Sequence, residues 1–221
     1  MKKLYKHKFD GKPNLIVIFQ SMNANLYNPE NKNKFELENT FSRLDIDHAD
    51  LLFIKDDTRP RDSKVGGFYL HSESVNEICF DLSKLVRQYK KTLFTGLSAG
   101  GFASILFGSL CFVDVVAAIN PQTTLYDFND GSFVRDIIDI ESAVDNSAYY
   151  DCKPYINDVT KYYISKRAIT KDYDDCSIDD KLHHTKMIEH INDFGNVYIR
   201  EDLNQTYSAL KDILEINNFN M

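Results

Sequence analysis

The chain has 221 residues, 43% of them hydrophobic, with 13 Tyr, 15 Phe and no Trp. That length and apolar content suit a single domain spanning residues 1–221 with a substantial core. A formal net charge of −7 and the lack of a long Lys/Arg block argue against sequence-independent nucleic-acid binding, which needs many cations on phosphates.

Lys2, Lys3, Lys6 and Lys8 alternate with apolar residues, the pattern of a solvated edge strand. Residues 15–19, Leu-Ile-Val-Ile-Phe, form a continuous apolar run, as expected for a strand buried on both faces of a parallel sheet. The run follows Pro13 and is too short for the apolar core of a signal peptide. No segment approaches membrane-spanning length, so a cytoplasmic protein is expected. Residues 21–34 are polar and read as a loop, 35–44 as a short helix, and 51–54 as a second apolar strand. A loop with Pro60 and Gly66-Gly67 leads to Ser72, the expected cap of a helix. Val75, Ile78, Cys79, Leu82, Leu85, Val86 and Tyr89 give that helix one apolar face.

A strand and a buried helix follow around residues 91–107, then a strand over 113–119 closed by Asn120-Pro121. Residues 122–158 are irregular, with short helix candidates near 133–140. Residues 159–164 read as a strand and 165–177 as an acidic loop. A helix opens at Asp179 or Asp180 and runs to Ile191. The last strand covers 196–200 and the closing helix 204–216. Strands alternating with helices imply a mainly parallel sheet covered by helices on both faces. Active sites of such sheets lie at the strands' C-terminal ends. Gln20-Ser21-Met22, Asp56-Asp57, Ser98 and Asn120-Pro121-Gln122 fall at such ends and should ring one site. Cys79, Cys111, Cys152 and Cys176 show no C-x-x-C spacing, which suits a reducing compartment and no structural zinc.

The most specific motif is Gly96-Leu97-Ser98-Ala99-Gly100, a G-x-S-x-G pentapeptide. The β-prone Lys91-Thr92-Leu93-Phe94-Thr95 precedes it, and the helical Gly101-Phe102-Ala103-Ser104-Ile105-Leu106-Phe107 follows. Strand, sharp turn and helix form the setting of a nucleophile elbow, in which the serine hydroxyl projects at the sheet edge. Gly96, Ala99 and Gly100 allow the close approach such a bend needs. A serine hydroxyl needs a base to take its proton and donors to hold the oxyanion. Ser98 is therefore the candidate nucleophile and the Ala99 N–H the first oxyanion donor. The loop at Ser21-Met22 suits the second donor. No P-loop, dinucleotide fingerprint or H-E-x-x-H motif is present.

On these residues the chain resembles the α/β-hydrolase superfamily. The resemblance implies an α/β-hydrolase-like three-layer sandwich. More narrowly, it resembles small hydrolase-fold proteins of bacterial surface-polysaccharide gene clusters, some of which are capsule O-acetyltransferases. The narrower likeness rests on Phe19-Gln20-Ser21-Met22-Asn23, the loop 59–70, the Leu97–Gly101 elbow and Asp180-Lys181-Leu182-His183. It implies serine-dependent acyl transfer on a carbohydrate or small ester. No cofactor or metal is expected, beyond acetyl-CoA as donor if the acceptor is not water. The expected partner is a small-molecule or polysaccharide substrate, with a homo-oligomer left open.

The superfamily's chain order is Ser, then Asp or Glu, then His. The resemblance favours Asp180 as the acid, with Asp175 and Asp179 as alternatives. Carboxylates at 179–180 also suit a helix N-terminus. The base should follow the last strand, yet Glu201-Asp202-Leu203-Asn204-Gln205-Thr206 holds no His. Three readings stay open. His183 or His184 serves as base, His184 lying four residues from Asp180 on one helical face. Alternatively, His71 or His48 approaches Ser98 from another strand end. In the third, the site is degenerate and binds a glycan or a partner enzyme. A thiol enzyme using Cys176 or Cys152 has little support, since neither sits at an elbow. The loop Asp56, Asp57, Arg59, Arg61 and Asp62 is read as solvated, with a sugar grip as the alternative.

Overall fold

The computed structural model describes residues 4–21, 34–44, 46–55, 69, 74–124, 146–167, 188–202 and 206–219. The strands are β1 (Leu4–Lys8), β2 (Asn14–Phe19), β3 (Ala49–Lys55), β4 (Lys91–Leu97), β5 (Val115–Ile119), β6 (Lys161–Arg167) and β7 (Val197–Asp202). The helices are α1 (Glu38–Arg43), α2 (Val75–Val86), α3 (Ala99–Leu110) and α4 (Thr206–Ile216). The strands form one sheet in the order β1-β3-β2-β4-β5-β6-β7. β1 runs antiparallel against β3 at one edge, where the alternating Lys pattern placed it. Every other pairing is parallel.

The period-two geometry of a strand splits each apolar run between two cores. Leu15, Val17 and Phe19 pack with Val75, Ile78 and Leu82 of α2 and with Phe102, Leu106 and Phe107 of α3. Ile16 and Ile18 face the other way, with Phe41 of α1 and Leu210, Ile213 and Leu214 of α4. Helices therefore cover both faces, the expected three-layer arrangement. α3 is apolar on all sides because it is buried on all sides, from Ala99 to Ser109. Phe19 anchors the first core. It contacts Phe94 edge-on at 5.5 Å and stacks on Phe107 at 5.7 Å. Burying each such ring contributes about 1.5–3 kcal/mol.

Several boundaries shift by a few residues from the expectation, and two of them have a local reason. Val159 is not in a strand but 67% exposed. The Asn157 side-chain oxygen accepts the N–H groups of Val159 (3.0 Å) and Thr160 (2.8 Å), which holds a turn open until β6 starts at Lys161. The second helix begins after Ser74, not Ser72; the Ser74 side chain makes no cap bond, and the Asn146 side-chain oxygen accepts the Val75 N–H at 3.3 Å instead. Ser72 itself, the segment 133–140 and most of the helix expected over 179–191 lie outside the described residues, of which Ile188 and Glu189 are helical. Cys79, Cys111 and Cys152 are free thiols. No helix among the described residues is long and apolar enough to cross a membrane.

Candidate active site

The bend between β4 and α3 is built from backbone clearance. Ser98 sits at φ 52°, ψ −117°, a conformation that side-chain-bearing residues hold only when their surroundings impose it. Here the Ser98 N–H donates to the Ile119 carbonyl at 2.9 Å, and the Ser98 carbonyl accepts from Phe102 N–H at 3.0 Å. The glycines leave no slack. A Cβ on Gly96 would fall 2.3 Å from the Gly100 carbonyl oxygen, and one on Gly100 would fall 2.3 Å from the Phe19 carbonyl oxygen. One on Gly101 would lie 2.9 Å from the Pro121 Cβ. Strand β4, helix α3 and the ends of β2 and β5 thus meet where side chains do not fit. This is the strand–turn–helix bend expected from the pentapeptide.

Helix geometry leaves the Ala99 N–H without an intrahelical acceptor. No side chain caps α3, and no acidic residue lies in its first turn. Among the described residues, the positive end of a 12-residue helix therefore faces the Ser98 region with no carboxylate in its own first turn.

The end of β2 is organised by side chains. The Gln20 N–H is shared between the Ile54 carbonyl (2.9 Å) and the Tyr69 hydroxyl oxygen (2.9 Å). The Tyr69 hydroxyl in turn donates toward Ile54 O at 2.9 Å or Gln20 O at 3.2 Å. Glu36 N–H donates to the Gln20 side-chain oxygen at 2.8 Å. The Glu36 carboxylate accepts the Ser21 backbone N–H at 3.2 Å. Ser21 therefore stands at the expected strand end with its N–H directed to a carboxylate. Met22 lies outside the described residues, as do Asp56, Asp57, Arg59, Arg61 and Asp62.

At the end of β5, Asn120 adopts φ +44° and donates its N–H to Ser165 O at 2.7 Å. Two residues on, Gln122 is buried, and its side-chain Nε2 lies 3.1 Å from Ser98 Oγ. Its Oε1 is at 3.4 Å from the same oxygen. Among the described residues the Ser98 hydroxyl thus meets an amide and no imidazole.

Asp175, Asp179, Asp180, His183, His184 and His71 lie outside the described residues. His48 is corrected: it immediately precedes β3 and is exposed at the N-terminal edge of the sheet, opposite Ser98. A strand of seven residues separates those two edges, too far for an imidazole to span. The described histidine with a carboxylate partner is His190, whose Nε2 lies 3.1 Å and 3.2 Å from the two Asp151 oxygens. Asp151 bridges to Thr124 just beyond Gln122. No hydrogen bond joins His190 to Ser98. Sequence reading did not pair these two residues, since 39 positions separate them and neither carries a motif. Cys152 is fully buried with its thiol directed at the Phe102 carbonyl. Burial, and then the Asp151 charge, push that thiol well above its ordinary value, so it is no nucleophile.

No protein-family model and no curated protein matches this chain. Solved structures do. It is similar to an S-formylglutathione hydrolase from Agrobacterium tumefaciens (12% identity, TM-score 0.56, 95% of this chain and 84% of that one). It is also similar to the capsule O-acetyltransferase of Neisseria meningitidis serogroup A (14% identity, TM-score 0.59, 97% and 90%). A third likeness is to a Glycosylation Associate Protein complex from Streptococcus agalactiae (12% identity, TM-score 0.62). There 98% of this chain is matched, yet it spans only 45% of the other. These neighbours share the topology rather than the sequence, and with the Ser98 bend they establish that the chain has the α/β-hydrolase fold.

Proposed function

We propose that the protein carries out serine-dependent acyl transfer, with Ser98 as nucleophile and an ester of a carbohydrate or small alcohol as substrate. The observation that carries this reading is the backbone of Ser98. A φ of 52°, held where Gly96, Gly100 and Gly101 leave no room for a Cβ, is costly, and strain of this kind persists where it serves a function. In the proposed reaction Ser98 Oγ bonds to the acyl carbon while its proton passes to a base. The carbonyl oxygen gains charge and is held by the Ala99 N–H at the positive end of α3. Collapse of the intermediate breaks the ester C–O bond, and the base returns the proton to the leaving oxygen. Water or a sugar hydroxyl then attacks the acyl-enzyme. Transfer to a sugar would need an activated donor, for which acetyl-CoA is the proposed source. The base and its acid are proposed among His183, His184 and Asp180, between β6 and β7. The known esterases and O-acetyltransferases of this fold support acyl transfer in general.

The test is turnover of p-nitrophenyl acetate together with fluorophosphonate labelling. The parent should be labelled stoichiometrically at Ser98, and Ser98→Ala should lose turnover by at least about 10³-fold. A variant as active as the parent would remove Ser98 from the mechanism. The second reading, a non-catalytic binding protein, draws on the Gln122 amide in place of an imidazole beside Ser98. Stoichiometric labelling would exclude it, because an unactivated serine does not react.

A further inference from the structure

We propose that Gln122 is a catalytic residue of this site, a side-chain donor that contacts the nucleophile at rest and the oxyanion once the acyl group is attached. The inference rests on the acyl-transfer reading above and adds to it a residue outside the expected triad and oxyanion set.

Three observations converge on Gln122. It is only 3% exposed, so its amide has little water to bond and each of its polar groups must find a partner inside the protein. Its contact is the reacting atom itself, with Nε2 at 3.1 Å from Ser98 Oγ. A primary amide carries two N–H groups. Among the described residues the second has no acceptor, which leaves a buried donor unspent beside the point where a substrate carbonyl must arrive.

The amide is also held rigidly. Ser98 N–H is tied to Ile119 O, and Asn120 N–H to Ser165 O, so the end of β5 is fixed on both sides. Pro121 packs against Gly101 on the first turn of α3. Beyond Gln122, Thr123 O accepts the Cys152 N–H at 2.8 Å, and Thr124 bridges to Asp151. A donor clamped before and after itself loses little freedom when charge develops next to it, the condition under which such donors stabilise a transition state. Ser21 is less well placed for the second donor, because its N–H already serves Glu36. Gln122 Nε2 donates to Oγ at 3.1 Å, while among the described residues the serine proton has only the long 3.4 Å contact to Gln122 Oε1 and passes to a base when the reaction starts. As Oγ bonds to the acyl carbon and loses its proton it becomes a weaker, ester-type acceptor, and the same amide is proposed to turn its N–H to the stronger acceptor, the new oxyanion.

The test compares Gln122→Met, which keeps the volume and removes the donor, with Gln122→Glu, which keeps the shape. Either variant that melts within a few degrees of the parent is read. The substrates are p-nitrophenyl acetate and an aryl trifluoromethyl ketone, which adds to a serine to leave an oxyanion. The expected result is a loss in kcat of about 10²-fold or more. KM should stay within about twofold, and affinity for the ketone should fall by a similar factor to kcat. Turnover within about twofold of the parent, or a loss confined to KM, overturns the proposal while stoichiometric Ser98 labelling keeps the underlying reading intact. An unlabelled parent whose turnover survives Ser98→Ala overturns both.

Discussion

The two ends of the same sheet are built on different terms. At the N-terminal ends of the strands, carboxylates close the turns. Asp50, 2% exposed, accepts the N–H groups of Asp10 (2.8 Å) and Lys12 (3.1 Å) and the Tyr89 hydroxyl (2.9 Å). Asp114 accepts the Thr92 N–H at 2.7 Å and the Thr92 hydroxyl at 3.1 Å. At the C-terminal ends the chain is strained at Ser98, and among the described residues no side-chain bond caps α3 at Ser98 and the Gln122 amide has a donor to spare. The bonds these carboxylates accept at one edge hold the fold together. Capacity left over at the other edge is what a substrate can engage. The difference shows why strand-end polarity alone does not locate a site: both edges are polar, and among the described residues each holds one unpartnered buried atom, Thr160 Oγ1 at the first and Asn120 Oδ1 at the second, but the strained serine stands at the second.

That contrast can be broken by substitution at either edge. The largest effect is expected at Gly100→Ala, whose Cβ meets the Phe19 carbonyl oxygen at 2.3 Å. It should destabilise the fold by about 3 kcal/mol in urea unfolding and abolish Ser98 labelling in whatever remains folded, because backbone cannot yield as a side chain does. Asp50→Ala should come next. It removes the acceptor of two part-buried N–H groups and a hydroxyl, a loss of about 1–2 kcal/mol, yet labelling of the folded protein should match the parent. A loss of labelling larger than the loss of folded fraction would mean the two edges are coupled. The smallest effect is a pH dependence. Partial burial, then the hydrogen bond to the Asp50 carboxylate and its charge, push the Tyr89 hydroxyl from its ordinary value of 10 up to about 12. Its folded value lies above the unfolded one, so the stabilisation is complete below pH 10 and is lost as pH rises toward 12. Urea midpoints between pH 9 and 12 should fall for the parent and flatten in this window for Tyr89→Phe.

Much of the fold was legible because it is written in burial. The runs at 15–19 and 51–54 are apolar without a break, and both became central strands. The elbow was legible for a related reason. Backbone packed against backbone admits only glycine, and Gly96, Gly100 and Gly101 therefore leave a trace in the sequence. The strand expected from Val159 missed because one Asn157 side chain decides where the turn ends, and Asn157 looks like any other loop residue. Contacts made by ordinary side chains across long separations left no trace at all. Gln122 meets Ser98 across 24 positions, and Glu36 meets Ser21 across 15. The strand-end position of Gln122 signalled that it borders the site, but not which atom it touches.

The closeness of Gly100 to the Phe19 carbonyl has a consequence for how the site tolerates heat. Pockets walled by side chains widen and narrow as those side chains hop between rotamers. Here the spacing between the end of β2 and the first turn of α3 is set by two main chains in direct contact. Nothing at that contact can rotate. The gap between the nucleophile and the neighbouring strand end should therefore keep one width from cold to warm, until the sheet itself comes apart.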